Sequence, residues 1–149
     1  MDDAHCWFCH DDVRGDPPPG GWLIDDDVWR AGHAPPSYAV PGTVILETRQ
    51  HVLDQSGFDA RERATVADTT GRLITAIRAA TGCDRVYQWA TMDGYPHFHT
   101  WLVPWWAGGD LRGPRYLTAA VVDVESADPD LVVATAHRVA AALPAATGP

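Results

Sequence analysis

Apolar positions along this chain follow two rhythms. Alternating or β-branched stretches predict strands over residues 21–24, 28–31, 43–48, 85–90 and 97–103, and a further strand over 116–124. The first two flank the acidic turn Asp25-Asp26-Asp27, and Pro41-Gly42 turns the chain into the third. Residues 33–36 read as a loop, Asp93-Gly94 as a turn, and Pro104 as the end of the fifth strand. Between the third and fourth strands the period lengthens. Val66, Thr70, Leu73, Ile74, Ile77 and Ala80 recur at helical spacing. Asp59 with Glu62 three residues on resembles a capping box at the start, and Gly82 is the stop. Asp128-Pro129 opens a C-terminal helix carrying Leu131, Val132, Ala136, Val139 and Leu143 on one face. Strands, long helix, strands, helix is the order of an α+β domain with an antiparallel sheet. Residues 1–149 read as one domain. Residues 1–20 form a cysteine-bearing segment and a Pro/Gly connector, and residues 145–149 a frayed tail.

Composition narrows the chemistry. The 149 residues contain no lysine, so all 11 basic side chains are arginine; asparagine is also absent, and only Ser37, Ser56 and Ser126 are serines. Schiff-base, pyridoxal and P-loop lysine chemistry are excluded, and no serine sits in a Gly-x-Ser-x-Gly elbow. A biased genome explains the zeros, since Ala, Asp, Gly and Pro are plentiful. A formal net charge of −9 is a poor match to a phosphate backbone, so a nucleic-acid polymer is not an expected partner. No apolar stretch approaches the roughly 20 residues of a membrane span. The acidic beginning is not a secretory signal, and a soluble cytoplasmic protein is the expectation.

Three cysteines argue against a disulfide framework. Cys83, next to Gly82, reads as a buried small hydrophobe. Cys6-Trp7-Phe8-Cys9 is a C-x-x-C with three readings: a zinc knuckle, a thioredoxin-like redox pair, or an inert pair. Only five residues precede Cys6, too few for the strand that a redox motif follows. In the stretch from His97 to Pro104, strand alternation puts His97, His99 and Trp101 on one face, about 7 Å apart. Two histidines on one strand face need partners.

Pro-His-x-His-x-x-Leu-Val-Pro after a strand-turn-strand resembles the histidine triad (HIT) superfamily, whose signature is His-x-His-x-His with apolar residues between. Cys6-x-Phe8-Cys9 is similar to the zinc knuckle of bacterial members. The segment from Pro41 to Leu46 with Arg49-Gln50-His51 is similar to the family's Pro-Gly-His strand and the basic-basic-His after it. The resemblance runs from about Cys6 to Pro104. It implies a HIT-like five-stranded antiparallel sheet with a long helix and a C-terminal helix, and a homodimer. It implies a zinc ion held by Cys6, Cys9, His51 and His97, with His5 and His10 as alternatives. It implies His99 as the nucleophile that attacks the α-phosphorus of a nucleotide-like ester or amide and forms a nucleotidyl-histidine. The family's acidic residue for the ribose hydroxyls matches Asp26 best, with Asp25 and Asp27 close by; a solvated acidic turn is the competing reading.

The pattern also departs from the family. The third triad histidine is Trp101, which has one N–H donor and no proton to transfer at neutral pH. Galactose-1-phosphate uridylyltransferases, of the same superfamily, carry Gln there. The histidine expected after Pro41-Gly42 is Thr43, and the Asn-containing, Gly-rich approach to the triad is absent. Arg112 and Arg115 offer replacement phosphate donors, or are solvated surface arginines. Trp101 with Trp105-Trp106 could stack a base or another flat ligand. Three functions are therefore compatible with the sequence. One is a HIT-type hydrolase or transferase on a nucleotide-like phosphoester or phosphoramidate. The second is a zinc-containing enzyme on a small non-nucleotide, biosynthetic substrate. The third is a non-catalytic nucleotide-binding module.

Overall fold

The computed structural model describes residues 3–91 and 93–147. Five strands form one antiparallel sheet in the order β1-β2-β3-β5-β4: β1 Trp22–Asp25, β2 Trp29–His33, β3 Val44–Thr48, β4 Arg85–Trp89 and β5 His99–Trp105. The helices are α1 Asp11–Arg14, α2 Ala60–Thr81, α3 Gly113–Leu117 and α4 Pro129–Ala142; a 3-10 turn, Gln55–Gly57, precedes α2, and a π-helical turn, Thr118–Val122, follows α3. Among the described residues no helix is long and apolar enough to cross a membrane.

The long helix is built by local chemistry and held by burial. Asp59 accepts from Glu62 N–H at 2.9 Å while Glu62 accepts from Asp59 N–H at 2.8 Å, which satisfies two orphan donors reciprocally. Gly82 ends the helix with φ of 66°, a left-handed conformation that side chains resist. Leu73, Ala76 and Ile77 of α2 and Val139 of α4 join Trp29, Ala31, Val44, Leu46, Phe98 and Leu102 in the core beneath one sheet face. That leaves the opposite face, bearing Arg30, Gly32, Ile45, Glu47, His99, Trp101 and Val103, to be covered by other means.

Two segments cover it. At one end Val103 packs against Tyr116, Leu117, Ala120 and Val121. The strand expected over 116–124 is thus helical. Its apolar positions recur at helical rather than strand spacing, Pro114 lies in the first turn of α3, and Val103 is buried by a helical lid instead of a sixth strand. At the other end lies the arm of residues 3–21. Pro18 sits on Gly32, where an added Cβ would lie 2.4 Å from its ring. Strand β5 also passes through Pro104 instead of stopping there. Its pairing with β3 ends at Leu102, while Pro104 stays opposite Val86 of β4, so the missing N–H faces a side with no partner strand. His33 belongs to β2 rather than to a loop. At the C-terminus Arg72 donates to the Pro144 carbonyl and Thr147 hydrogen-bonds Asp68; residues 148–149 of the expected tail lie outside the described residues.

Replacing Asp59 by Ala removes one half of the α2 capping box. The expected outcome is a loss of about 1 kcal/mol of stability, read as a lower urea midpoint with an unchanged m-value.

Candidate metal centre and histidine pocket

Four side chains from three separate segments converge beside the start of β5. Cys6 and Cys9 come from the arm, His51 from the turn after β3, and His97 from just before β5. Their ligand atoms all lie within 4.8 Å of one another. His97 Nδ1 is 3.5 Å from Cys6 Sγ, 3.4 Å from Cys9 Sγ and 3.3 Å from His51 Nδ1, and Cys9 Sγ is 3.2 Å from His51 Nδ1. A tetrahedral ion with bonds of about 2.3 Å to sulfur and about 2.05 Å to nitrogen separates its ligands by about 3.6 Å (S–N) and about 3.3 Å (N–N). The observed spacings are close to those edges.

Protonation points the same way. His97 Nε2 lies 2.8 Å from the Thr48 carbonyl, which can only accept, so Nε2 carries the proton and Nδ1 presents a lone pair to the cluster. Burial holds the His97 imidazole down to about 4 and pushes the Cys9 thiol up to about 12. In the absence of a cation His97 and Cys9 are therefore neutral, with the His97 lone pair directed into the cluster. A divalent ion stabilises the thiolate form instead. These donors fit a metal site. His5 and His10 stand outside it, and His10 Nε2 is 2.9 Å from the Asp3 carbonyl.

His99 follows on the same face as His97. Phe8, between the two cysteines, stacks on both imidazoles, with centroids 5.2 Å from His97 and 4.5 Å from His99. Phe98 points the other way, into the core beside Trp29 and Phe58. His99 Nδ1 donates to the His97 carbonyl at 2.7 Å, so in the neutral ring Nε2 holds the free lone pair. Burial lowers the His99 pKa below its ordinary value and favours that neutral form. A pocket of about 190 Å³ opens at His99, lined by Trp7, Phe8, Pro35, Tyr38, Ile45, Tyr95 and Trp101.

The other residues singled out from sequence do different things here. Asp26 accepts from Val28 and Trp29 N–H at 2.8 Å each and closes the β1–β2 turn; it does not line the His99 pocket. Asp25 pairs with Arg30 and Arg49. Thr43 is fully buried and its hydroxyl donates to the Val40 carbonyl at 2.7 Å. Arg112 lies over the Trp105 ring, 5.3 Å from its centroid, and Arg115 sits in α3; neither lines the pocket. Trp101 does line it.

Sequence reasoning missed a buried polar ladder beside the pocket. The Arg14 guanidinium lies 4.3 Å from the Trp7 ring centroid and 4.7 Å from that of Trp22, and Arg30 lies 4.7 Å from Trp22 on its own side. Arg14 ion-pairs with Glu47, and Arg30 with Asp11 and Asp25. Burial pushes Glu47 up to about 7 against the opposing pull of Arg14. His33 was also missed: it accepts from Gly42 N–H at 2.7 Å and donates to the Ala34 carbonyl at 2.7 Å. Nothing in the local sequence spacing marks either arrangement.

The sequence matches no family model and no curated protein. Solved structures match it throughout. A Zn-bound histidine triad family protein from Mycobacterium smegmatis is 19% identical, with 95% of this chain and 94% of that chain covered at a TM-score of 0.64. A hypothetical histidine triad nucleotide-binding protein from Sulfolobus tokodaii is 14% identical, with 92% and 91% covered at 0.68. A uridylyltransferase is 16% identical, with 93% of this chain and 45% of that one covered at 0.61. The fold is the histidine triad fold.

The cluster predicts about one tightly held divalent ion per chain, measured by elemental mass spectrometry after desalting. Cys9→Ala and His51→Ala each lower retained metal at least about tenfold, whereas His10→Ala leaves it unchanged.

Proposed function

We propose that this chain, which has the histidine triad fold, is a hydrolase or transferase acting on a nucleotide-like phosphoester or phosphoramidate through His99, with a structural zinc ion at Cys6, Cys9, His51 and His97. The observation that carries the reading is the state of His99: Nδ1–H is committed to the His97 carbonyl at 2.7 Å and the ring lines an open pocket. Such an imidazole is ready to attack through Nε2 without a separate base. Nε2 forms a bond to phosphorus, the bond to the leaving group breaks with its electron pair, and water then cleaves the phosphorus–nitrogen bond and frees the imidazole. Zinc is the reading for the metal because two thiolates and two imidazoles at tetrahedral spacing form a closed ligand set. Bound zinc supplies charge neutralisation and cross-linking of the arm. His97 would hold it while its backbone carbonyl orients His99.

The three cysteines are free, which suits a reducing compartment such as the cytoplasm. A homodimer is part of the same reading. A second reading, an enzyme on a small non-nucleotide substrate, is favoured by one specific observation. Among the described residues, the pocket at His99 is lined by no arginine and no carboxylate. The phosphate donors anticipated at Arg112 and Arg115, and the ribose acid at Asp26, are engaged or placed elsewhere, and the Thr43 hydroxyl is turned to the Val40 carbonyl.

His99→Ala is expected to lower turnover of the phenyl ester of adenosine 5′-phosphate by at least about 10³-fold with metal content unchanged. An unaltered rate in that variant would sink the nucleophilic role. Nucleotide binding without turnover in the unaltered protein would assign the chain to binding alone.

A further inference from the structure

The space around His99 has two lobes, which share Tyr38, Tyr95, His99 and Trp101. The first, about 190 Å³, is closed by Trp7, Phe8, Pro35 and Ile45. The second, about 160 Å³, is closed by Trp89, Thr91, Gly94 and Val121. Among the described residues no charged side chain lines either lobe. A charged substituent on a ring seated in them would give up hydration with no counter-charge in return, whereas an uncharged ring gains apolar and stacking contact. An apolar cavity of about 150 Å³ accepts benzene, so the first lobe has room for one ring or a compact fused pair. The Arg14–Glu47 pair lines a different cleft of about 350 Å³.

A second observation concerns the leaving group. Trp101, lining both lobes, occupies the third position of the His-x-His-x-x segment and can donate a hydrogen bond but not a proton. No carboxylate or cationic acid stands in its place. A departing group that ionises easily needs no proton donor. A phenol, like a tyrosine side chain, ionises at about 10, far more readily than water. The apolar lobe therefore fits the uncharged ring of the bound ester, and the missing acid favours a ring oxygen that can leave without being protonated first.

Building on the nucleophilic role of His99, we propose that the leaving group is an uncharged aromatic alcohol. It is seated in the first lobe, and Trp7 and Phe8 are the specificity-determining wall. The substrate is then an aryl phosphodiester of nucleotide type. His99 Nε2 bonds to phosphorus as the phosphorus–oxygen bond to the ring breaks, the electron pair leaves on the aryloxide, and the aryloxide takes its proton from water. The wall lies between the two cysteines of the metal centre, so the loop that binds metal also selects substrate.

The test has two arms, both on the full metal-loaded chain. In the first, 2-naphthol is titrated and tryptophan fluorescence is followed. Saturable binding is expected, weakened at least tenfold in Trp7→Ala and in Phe8→Ala with metal content retained. Unchanged affinity in Trp7→Ala overturns the assignment of the wall. In the second, adenosine 5′-phosphate esters of phenols of rising pKa are compared. The rate of aryloxide release is expected to fall steeply with phenol pKa, and an alkyl ester is expected to react at least a hundredfold more slowly than the phenyl ester. A rate indifferent to phenol acidity overturns the leaving-group assignment. The naphthol arm does not depend on turnover. If His99→Ala stays active, the catalytic reading falls and the naphthol titration still decides the pocket.

Discussion

The convergence of two sulfur and two nitrogen atoms at a single point is the constraint on which the candidate site depends. His97 Nδ1 and His51 Nδ1 face each other at 3.3 Å, and the proton on His97 is already engaged on Nε2 by the Thr48 carbonyl. Lone pairs and thiols brought this close are poorly satisfied by one another and well satisfied by a cation. From that point outward the geometry follows. The cysteines fix Phe8, Phe8 stacks on His99, and the His97 carbonyl holds the His99 tautomer. The residue that orients the proposed nucleophile is thus also a candidate metal ligand.

A second fastening lies beside the first. Arg14 is sandwiched between two indoles and paired with Glu47, a carboxylate buried on the sheet face. A guanidinium tolerates this better than an ammonium, because it is weakly hydrated and stacks on flat rings. The cost is visible in Glu47, which burial pushes up to about 7 even beside a cation, and in Arg14 Nε, which is buried with no hydrogen-bond partner among the described residues. The ladder continues through Trp22 to Arg30 and its acidic partners, so the arm is tied to β1 and β2 by cation–π and ionic contacts. Several tryptophans that look like generic core or interface residues in the sequence do this work.

How much could be read beforehand depended on whether the signal was local. The five paired strands, the Asp59 cap, the Gly82 stop and the C-terminal helix are written in short-range periodicity and turn chemistry, and they appear within a few residues of where the sequence puts them. The segment 116–124 went wrong because β-branched valines outweighed the spacing of Tyr116, Leu117, Ala120 and Val121, which is helical and serves to bury Val103. For the site, the C-x-x-C and His-x-His patterns were legible because each is contiguous. Their meeting with His51 is legible only through resemblance, since it spans up to 91 residues. Asp26 shows the limit of matching by type: the acid is present near the first strands, but its oxygen is consumed by the backbone of its own turn. The Arg14 sandwich leaves no local signature at all, because its partners at Trp7, Trp22 and Glu47 are brought together only by the folded sheet.

The arm has one more property. The backbone hydrogen bonds described for residues 3–21, such as Cys9 to Cys6, Arg14 to His10 and Gly21 to Pro18, all close within the arm itself. Among the described residues no backbone ladder joins it to the sheet, and side chains, the candidate metal ligands among them, carry the attachment. A segment fastened this way can open without unfolding the strands beneath it. With a metal bound at the cluster, its opening free energy would grow with the logarithm of free metal concentration while that of the sheet would not. One chain would then hold two units of separate stability, and only the outer one would answer to the composition of its surroundings.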